Sequence, residues 1–401
     1  MRRLLGPLTA LIVFAVAVTR GHTALAVFAA VLALAMLVSE LWAWLCFQGL
    51  TYRRSLERER VTAGEQVTLQ LEFVNAKPLP LAWLLARDRL PRGLALVGAD
   101  GEDTTTEWLN SLVSLRWYER VVRRVPLRCP TRGTFDLGPT QLVTGDVFGY
   151  RRVLRVEPDT TRLVVYPRVW SVAQLAVAAG IPQGEASFWR RLGPDPLRFS
   201  QLRDYRPGDS PRHIHWRASA RSGSLQTREF EPSASTTTIV ALDVQTMEHA
   251  YEHIPARLEH AISAAASLAI AALEARWQTG LLVNGPSPDG APWQYVEPSQ
   301  HPQQAAEILA ALAGLTPYRG DRFEAMLGAL QPRLPAGASL VCVSAWVRAS
   351  LLQTLLALRH AQHPVCLYAI GDAPLEPVEG LEIIHLGGGD AWERLQTLAL
   401  V

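Results

Sequence analysis

The chain has 401 residues, a formal net charge of +2, and charged residues at 19%. This length exceeds one typical domain of about 100 to 200 residues, which predicts two folded domains with accessory segments. The near balance of charge excludes a global field that would attract nucleic acid, and we expect no nucleic-acid partner. The four cysteines are scattered without a CxxC pair, which argues against a disulfide framework and against a thiolate metal site.

Two apolar stretches at the amino terminus predict a transmembrane hairpin over residues 1–50. The second, Thr23 to Phe47, has 25 residues and as a helix would span about 37 Å, enough for a hydrocarbon layer of about 30 Å. Arginines flank the apolar block on its two outer sides, which predicts a multi-pass protein of the cell membrane with two helices and its soluble domains in the cytoplasm. Cleavage of the first stretch as a signal peptide is the alternative. Glu40 is expected to snorkel or to pair with a helix.

Residues 51–168 alternate apolar and polar side chains as half-buried β-strands do. One run begins at Glu65 and a second covers Arg120 to Cys129, with turns and Pro or Gly breaks between short strands. This pattern favours an all-β, sandwich-like domain. Nothing in it resembles a catalytic set, so we expect a spacer or a binding module.

Beyond a loop-rich connector, residues 169–235, strands alternate with helices through residues 236–401. A β-branched run from Thr236 reaches Asp243, and a helical spacing of apolar residues follows. The alternation predicts a mostly parallel, doubly wound α/β sheet. Ligands of such sheets bind beyond the carboxyl ends of strands. Asp243 and Ser344, which lie at strand ends, are therefore candidate ligand-binding positions.

The connector holds the densest set of hydrogen-bonding side chains in the chain, between Phe199 and Glu231 around a Pro-Gly turn. Its spacing resembles the bacterial and archaeal family called domain of unknown function 58. The positions that carry the resemblance are Arg203, Tyr205, Pro207, Gly208, Asp209, Arg212, Ile214, Trp216, Ala220, Arg221, Gly223, Leu225, Glu229 and Phe230. The predicted interaction site comprises Arg203, Tyr205, Gly208, Asp209, Arg212, Ile214, His215, Trp216, Ala220, Arg221 and Glu229.

The resemblance implies a membrane-anchored protein whose last domain is similar to a von Willebrand factor A domain, a Rossmann-type α/β fold. It also implies a partner, an AAA+ ATPase of the MoxR class, and a role in assembly or maturation of client proteins. Domains of this class can bind a divalent ion through an Asp-x-Ser-x-Ser loop. Here Val244, Gln245, Thr246 and Met247 follow Asp243, so we expect a degenerate ion position, no metal and no cofactor.

The signature itself has four interpretations. Asp209, His213 and His215 could serve a hydrolase, or the two histidines could bind a metal ion with Asp209. The arginines could bind an anion, as in a sensor, although six arginines stand against four carboxylates in the stretch. We favour the fourth interpretation: a structural or docking segment of a non-enzymatic adaptor, in which charge-assisted hydrogen bonds hold an irregular segment on the α/β domain.

The fourth interpretation predicts that Trp216 is a buried apolar anchor. Trp216→Ala is then expected to lower the free energy of unfolding by about 3 to 5 kcal/mol, because it leaves a large cavity. Thermal or urea denaturation of the two proteins measures this difference. An unchanged melting temperature would contradict the anchor role.

Overall fold

The computed structural model describes residues 5–98, 100, 102–146, 151–178, 199–204, 219–221, 223–230, 237–249, 252–335 and 337–398. The chain divides into two compact units, Met1–Tyr166 and Pro167–Val401.

The first unit begins with two apolar helices, α1 (Leu5–Thr19) and α2 (Thr23–Leu45), which pack side by side. The turn between them contains Gly21 with a φ of 72°, a left-handed conformation that glycine adopts easily. The buried positions on the two helices are mostly alanines: Ala10, Ala17, Ala26 and Ala29. Large apolar side chains lie on the outside, such as Phe28, which is 66% exposed. Small residues inside and large apolar residues outside are typical of packed membrane helices. The predicted pair of apolar helices is confirmed.

Side chains from far along the chain fix the last turns of α2 to the β-rich part of this unit. Glu40 forms an ion pair with Arg151, with 2.8 Å between Oε1 and Nε. The neighbouring Ser39 hydroxyl donates a hydrogen bond to the buried carboxylate of Asp146. The expectation that Glu40 snorkels or pairs with a helix was wrong. Its partner belongs to the β-rich part, and this contact is invisible to local sequence patterns.

Two cationic side chains cap the carbonyl oxygens at the end of α2. The Lys77 ammonium group donates to the carbonyl oxygens of Cys46 and Gln48. The Arg155 guanidinium donates to the Phe47 carbonyl at 3.3 Å and lies over the Phe47 ring. Cations are favourable here because the free carbonyls at a helix end carry partial negative charge. Helix α2 therefore ends in a fixed joint rather than in a free linker.

Three sheets form the rest of the first unit, with strand orders β1-β3-β8-β5-β6, β11-β10-β4-β7 and β2-β12-β9. The strands are β1 (Leu50–Leu56), β2 (Arg60–Thr62), β3 (Gln66–Asn75), β4 (Leu81–Arg89), β5 (Ala95–Val97), β6 (Asp103–Thr104), β7 (Trp108–Leu115), β8 (Arg120–Arg128), β9 (Gly133–Leu137), β10 (Thr140–Gly145), β11 (Arg152–Glu157) and β12 (Thr161–Tyr166). Alternate side chains of β3 enter a single core, as its sequence alternation predicted. The predicted β-rich, sandwich-like region is confirmed.

The second unit contains a two-stranded sheet and a six-stranded sheet, the latter in the order β17-β16-β15-β18-β19-β20. Its strands are β13 (Phe199–Asp204), β14 (Gln226–Phe230), β15 (Thr237–Leu242), β16 (Gln278–Val283), β17 (Gln294–Ser299), β18 (Ser339–Ser344), β19 (Val365–Ala369) and β20 (Glu382–His385). Its helices are α3 (Val172–Ala178), α4 (Pro255–Glu274), α5 (Gln304–Ala313), α6 (Phe323–Leu330), α7 (Ala349–His360) and α8 (Gly389–Leu398), and a 3-10 turn covers Gln331–Arg333.

Helices cover both faces of the six-stranded sheet. Val240 and Leu242 of β15 enter a core with α4 and α5, whereas Ile239 and Ala241 enter a second core with α6 and α7. Successive side chains of a strand point to opposite faces, so a strand buried on both sides is apolar throughout. All neighbours in this sheet are parallel except the edge strand β17. The predicted α/β domain with a mostly parallel sheet is confirmed.

A buried ion pair stabilises the sandwich-like part. Arg54 and Asp88 lie 2.9 Å apart, and their side chains are 3% and 1% exposed. The hydroxyl groups of Tyr52 and Thr140 donate to the same carboxylate oxygen, each at 2.6 Å. Burial, followed by the neighbouring charge of Asp88, raises the pKa of Tyr52, which keeps the phenol protonated as a donor. This carboxylate joins strands β1, β4 and β10.

Replacement of Asp88 tests this network. Asp88→Leu leaves Arg54 buried without a counter-charge and is expected to cost about 3 to 5 kcal/mol of unfolding free energy. The double variant Arg54→Met, Asp88→Leu should recover most of that loss, since neither charge is then buried. Urea denaturation in detergent micelles measures both. The matched control is Asp136→Leu in the exposed Arg162–Asp136 pair, which should cost less than about 1 kcal/mol. Equal losses for the two single variants would contradict this account.

Candidate functional site

Three neighbouring parallel strands of the second unit each end in a polar residue. Asp243 directly follows β15, Asn284 directly follows β16, and Ser344 is the last residue of β18. Since parallel strands end at the same edge of a sheet, the fold brings the three side chains together. All three are fully buried. We call this group, with the arginines described below, the carboxyl-edge site.

The Asp243 carboxylate is the centre of the site. Its Oδ1 accepts hydrogen bonds from the Asn284 amide at 2.7 Å and from the backbone N–H of Gln245 at 3.0 Å, and its Oδ2 accepts one from the Ser344 hydroxyl at 3.2 Å. Burial raises the pKa of Asp243 to about 6, although these hydrogen bonds and Arg348 favour the charged form. The carboxylate is thus held in place but removed from water.

Arg348 provides the positive charge beside Asp243. It precedes α7, and its Nη2 lies 3.5 Å from Oδ2 of Asp243. Its Nε lies 3.2 Å from Oε1 of Glu324 in the first turn of α6. Burial alone would raise the pKa of Glu324, but the hydrogen bond from Ser350 and the charge of Arg348 contribute to a net lowering. One guanidinium group therefore lies between two carboxylates.

A second arginine reaches the same edge. Arg319 and Arg348 both donate to Oε1 of Gln245, at 2.8 Å and 2.9 Å. The amide nitrogen of Gln245 in turn donates to the carbonyl oxygens of Met247 and Glu248. Two guanidinium groups on one amide oxygen concentrate positive charge at the rim of the buried site. Arginine pairs of this kind suit planar carboxylates and phosphates, since each guanidinium presents donors in a fixed fork.

The site holds the Asp243 carboxylate in a buried network of hydrogen bonds beside a guanidinium group. Among the residues that the structure describes, no three His, Cys, Asp or Glu side chains form a group that could hold a metal ion. The cation that neutralises Asp243 is the guanidinium of Arg348, and the carboxylate has no exposed surface for a substrate. That the domain binds no ion stays a prediction.

The connector signature lies mostly outside the described residues. Those that fall outside are Tyr205, Pro207, Gly208, Asp209, Arg212, His213, Ile214, His215 and Trp216. Arg203 in β13 and Glu229 in β14 lie on one antiparallel pair, two register positions apart. Ala220 and Arg221 belong to a short exposed helical segment. Gly223 follows it with a φ of 70°, a left-handed conformation that glycine adopts easily.

Sequence reasoning found Asp243 and Ser344 but missed the other members of the carboxyl-edge site. Asn284 could have been found, because it follows a predicted strand next to the one that ends before Asp243. Arg348 precedes a predicted helix, but nothing in its neighbourhood indicates that its side chain turns toward Asp243. Arg319 and Glu324 come from the segment between α5 and α7, and only the packing of α6 brings them close.

The raised pKa of Asp243 predicts a pH dependence of stability. Its usual value is 3.8 and its folded value about 6, so the folded chain holds the proton more tightly than the unfolded chain. The free energy of unfolding therefore falls as pH rises from about 4 to about 6, by about 3 kcal/mol for this group, and then stays level.

Asp243→Asn removes this titration, and its amide still accepts the two Oδ1 hydrogen bonds. The stability of the variant relative to the natural chain should rise between about pH 4 and pH 6 and be constant above that range. Urea denaturation across this range measures the difference. A difference that does not change with pH would contradict a buried, titrating carboxylate.

Solved structures similar to parts of this chain are remote. A type II cohesin domain from the cellulosome of Acetivibrio cellulolyticus is 13% identical, with 28% of this chain and 94% of that one covered and a TM-score of 0.22. The CARDB domain of the PF1109 protein from Pyrococcus furiosus is also 13% identical, with coverages of 29% and 91% and a TM-score of 0.21.

A curated relative and a family model match the chain by sequence. The uncharacterized protein YeaD of Bacillus subtilis (strain 168) is 26% identical over 200 residues, which are 47% of this chain and 46% of YeaD. The chain thus spans about half the length of this curated relative. Residues 201–375 match the family model described as "Protein of unknown function DUF58", a range that includes the connector signature and the carboxyl-edge site. The resemblance to this family that was inferred from the signature is confirmed over these residues.

Proposed function

We propose that this protein is a membrane-anchored adaptor or scaffold whose two soluble domains face the cytoplasm. The observation that carries the proposal is the joint at the end of α2, where an apolar helix is fixed to a folded β-rich domain by Glu40, Arg151, Lys77 and Arg155. The joint belongs to α2, which would remain in the chain even if the first apolar stretch were cleaved. Such a joint suits an anchor, because it transmits the position of the membrane to the domain.

The surfaces of the helices support the anchor. Helix α2 is long and apolar enough to cross a membrane, and only 11% of its most apolar window is buried. Helix α4 meets the same length and composition criteria, but 67% of it is buried, as in the core helix of a soluble domain. Helix α1 is shorter and packs along α2. The arginines outside the hairpin favour a cytoplasmic position for both ends.

The α/β domain is the docking module in this proposal. Its sheet order, with one antiparallel edge strand next to parallel neighbours, supports the finer identification as a von Willebrand factor A-like domain. The paired guanidinium groups of Arg319 and Arg348 favour an acidic side chain of a partner as the ligand of the carboxyl-edge site. The family resemblance names the partner, a MoxR-type AAA+ ATPase, or a client protein that the two assemble.

Two other functions remain as competing hypotheses. An enzyme centred on Asp209, His213 and His215 would place its chemistry outside the described residues. An anion-binding sensor would use the arginine pair for a small anion instead of a protein carboxylate, and the convergence of Arg319 and Arg348 favours this alternative over the enzyme.

A pull-down from solubilised membranes tests the docking module. Arg319→Gln should reduce recovery of the ATPase by about tenfold, because it removes one of two charge-assisted donors, while Asp243 keeps its guanidinium neighbour. The double variant Asp209→Asn, Arg221→Gln tests the signature in the same way. Arg333→Gln, an exposed arginine of the same domain, is the matched control and should recover as much ATPase as the natural chain.

Three measurements, of which the pull-down is the first, separate the alternatives. Equal recovery with Arg319→Gln and with Arg333→Gln removes the carboxyl-edge site from partner recognition. Labelling of the natural chain by hydrolase probes supports the enzyme. Binding of inorganic phosphate that is lost in Arg319→Gln, without an ATPase in the pull-down, supports the sensor.

A further inference from the structure

One end of the β-rich domain collects the chain segments that surround the exit of α2. Strand pairing places them there: Leu50 lies opposite Asn75, Leu81 opposite Leu115, and Thr144 opposite Leu84. The connections from β3 to β4, from β7 to β8 and from β10 to β11 therefore share this end with the start of β1. We call it the helix-proximal end.

The connection from β7 to β8, residues 116–119, is fastened directly to the joint. The backbone N–H of Tyr118 donates to the Lys77 carbonyl at 3.2 Å, and the Lys77 ammonium group caps the carbonyl oxygens at the end of α2. The Asn75 amide donates to the carbonyl oxygens of Leu79 and Arg116, at 2.9 Å and 2.7 Å. Lys77 thus contacts this turn through its backbone carbonyl and the end of α2 through its side chain.

The turn presents two aromatic side chains to its surroundings. Trp117 is 67% exposed and Tyr118 is 70% exposed. Tyr118 also has a φ of 50°, a left-handed conformation that costs a non-glycine residue energy, and which therefore needs a reason. Large aromatic side chains in water leave apolar area unburied, so such a pair marks an interaction surface. The residue before the pair, Arg116, is exposed as well.

We propose that Trp117 and Tyr118 insert into the interfacial layer of the membrane that α2 crosses; this inference rests on the proposed membrane anchor. Tryptophan and tyrosine prefer this layer, where the ring meets acyl chains and the polar group meets headgroups. Trp44, the penultimate residue of α2, is also 67% exposed, so exposed aromatic side chains occur both at the end of the helix and in the turn. An arginine at the same position suits anionic headgroups.

A lipid surface fits these observations better than a protein partner does. The turn lies at the end of the domain from which α2 leaves. A membrane that α2 crosses would therefore lie close to this turn. A partner protein would have to share that space with headgroups. A second contact with the membrane would also restrict the tilt of the domain further.

Labelled cysteine variants of the full-length chain in vesicles test the proposal. All four native cysteines are buried, so an environment-sensitive fluorophore can be placed selectively on Arg116→Cys, which keeps both aromatic residues. Thr160→Cys is the matched control, because the connection from β11 to β12 lies at the opposite end of the domain, where Thr140 pairs with Glu157. The vesicles contain phosphatidylcholine, phosphatidylglycerol and a lipid with a nitroxide on its headgroup.

The expected result is that the nitroxide lipid quenches more than about half of the fluorescence at position 116 and little at position 160. Adding Trp117→Ser and Tyr118→Asn to Arg116→Cys should abolish most of that quenching; asparagine tolerates the left-handed φ, so the turn is retained. Equal, weak quenching at both positions, with the chain still resistant to carbonate extraction, overturns the inserted turn and leaves the anchor intact. Release of the chain by carbonate overturns both. A label at 116 that a soluble protein shields, but that nitroxide lipid does not quench, assigns the turn to a protein partner.

Discussion

A charge taken out of water must find a counter-charge or a full set of hydrogen bonds, and this constraint shapes both units of the protein. In the sandwich-like part it places Arg54 against Asp88. In the α/β domain it places Arg348 against Asp243. In each case the isolated charge would cost several kcal/mol, so the partner is as necessary to the fold as the apolar core around it.

The same constraint determines how the apolar helix meets the folded domain. Helix ends leave carbonyl oxygens without intrahelical partners, and a helix that runs directly into a packed domain must satisfy them there. Lys77 does so from the connection after β3, while Asp146 and Glu40 pair with groups across the joint. Since many of these groups are buried, the joint resists bending more than a solvated linker would. Whatever position α2 takes in a membrane is passed on to the domain.

Local sequence patterns were sufficient to predict most helices and strands. They could not predict which residues far apart in the chain would contact one another. Strands such as β18 are readable from the sequence because six consecutive apolar or small residues indicate a strand that is buried on both faces. The edge strand β17 was missed because its run contains Pro298 and is only partly buried, and α8 was missed although its apolar residues follow a helical period. Contacts such as Glu40 with Arg151 join residues more than a hundred positions apart, and no period or propensity carries that information. The signature carried the family resemblance, but most of its residues lie outside the described part of the chain.

At the carboxyl-edge site, a buried carboxylate at the end of a strand is paired with a cation from the same chain. A carboxylate at the end of the central strand, with hydroxyl and amide neighbours, could help to hold a cation supplied from solution. Here the cation is part of the chain: Arg348 reaches Asp243 from the start of α7, and Glu324 and Gln245 hold the rest of its guanidinium. This cation is covalently part of the chain, so it cannot exchange with solvent. Arg319 is only half-buried, and the shared amide oxygen of Gln245 holds it beside Arg348. A guanidinium group presents its donors in a fixed fork, which suits an acidic group.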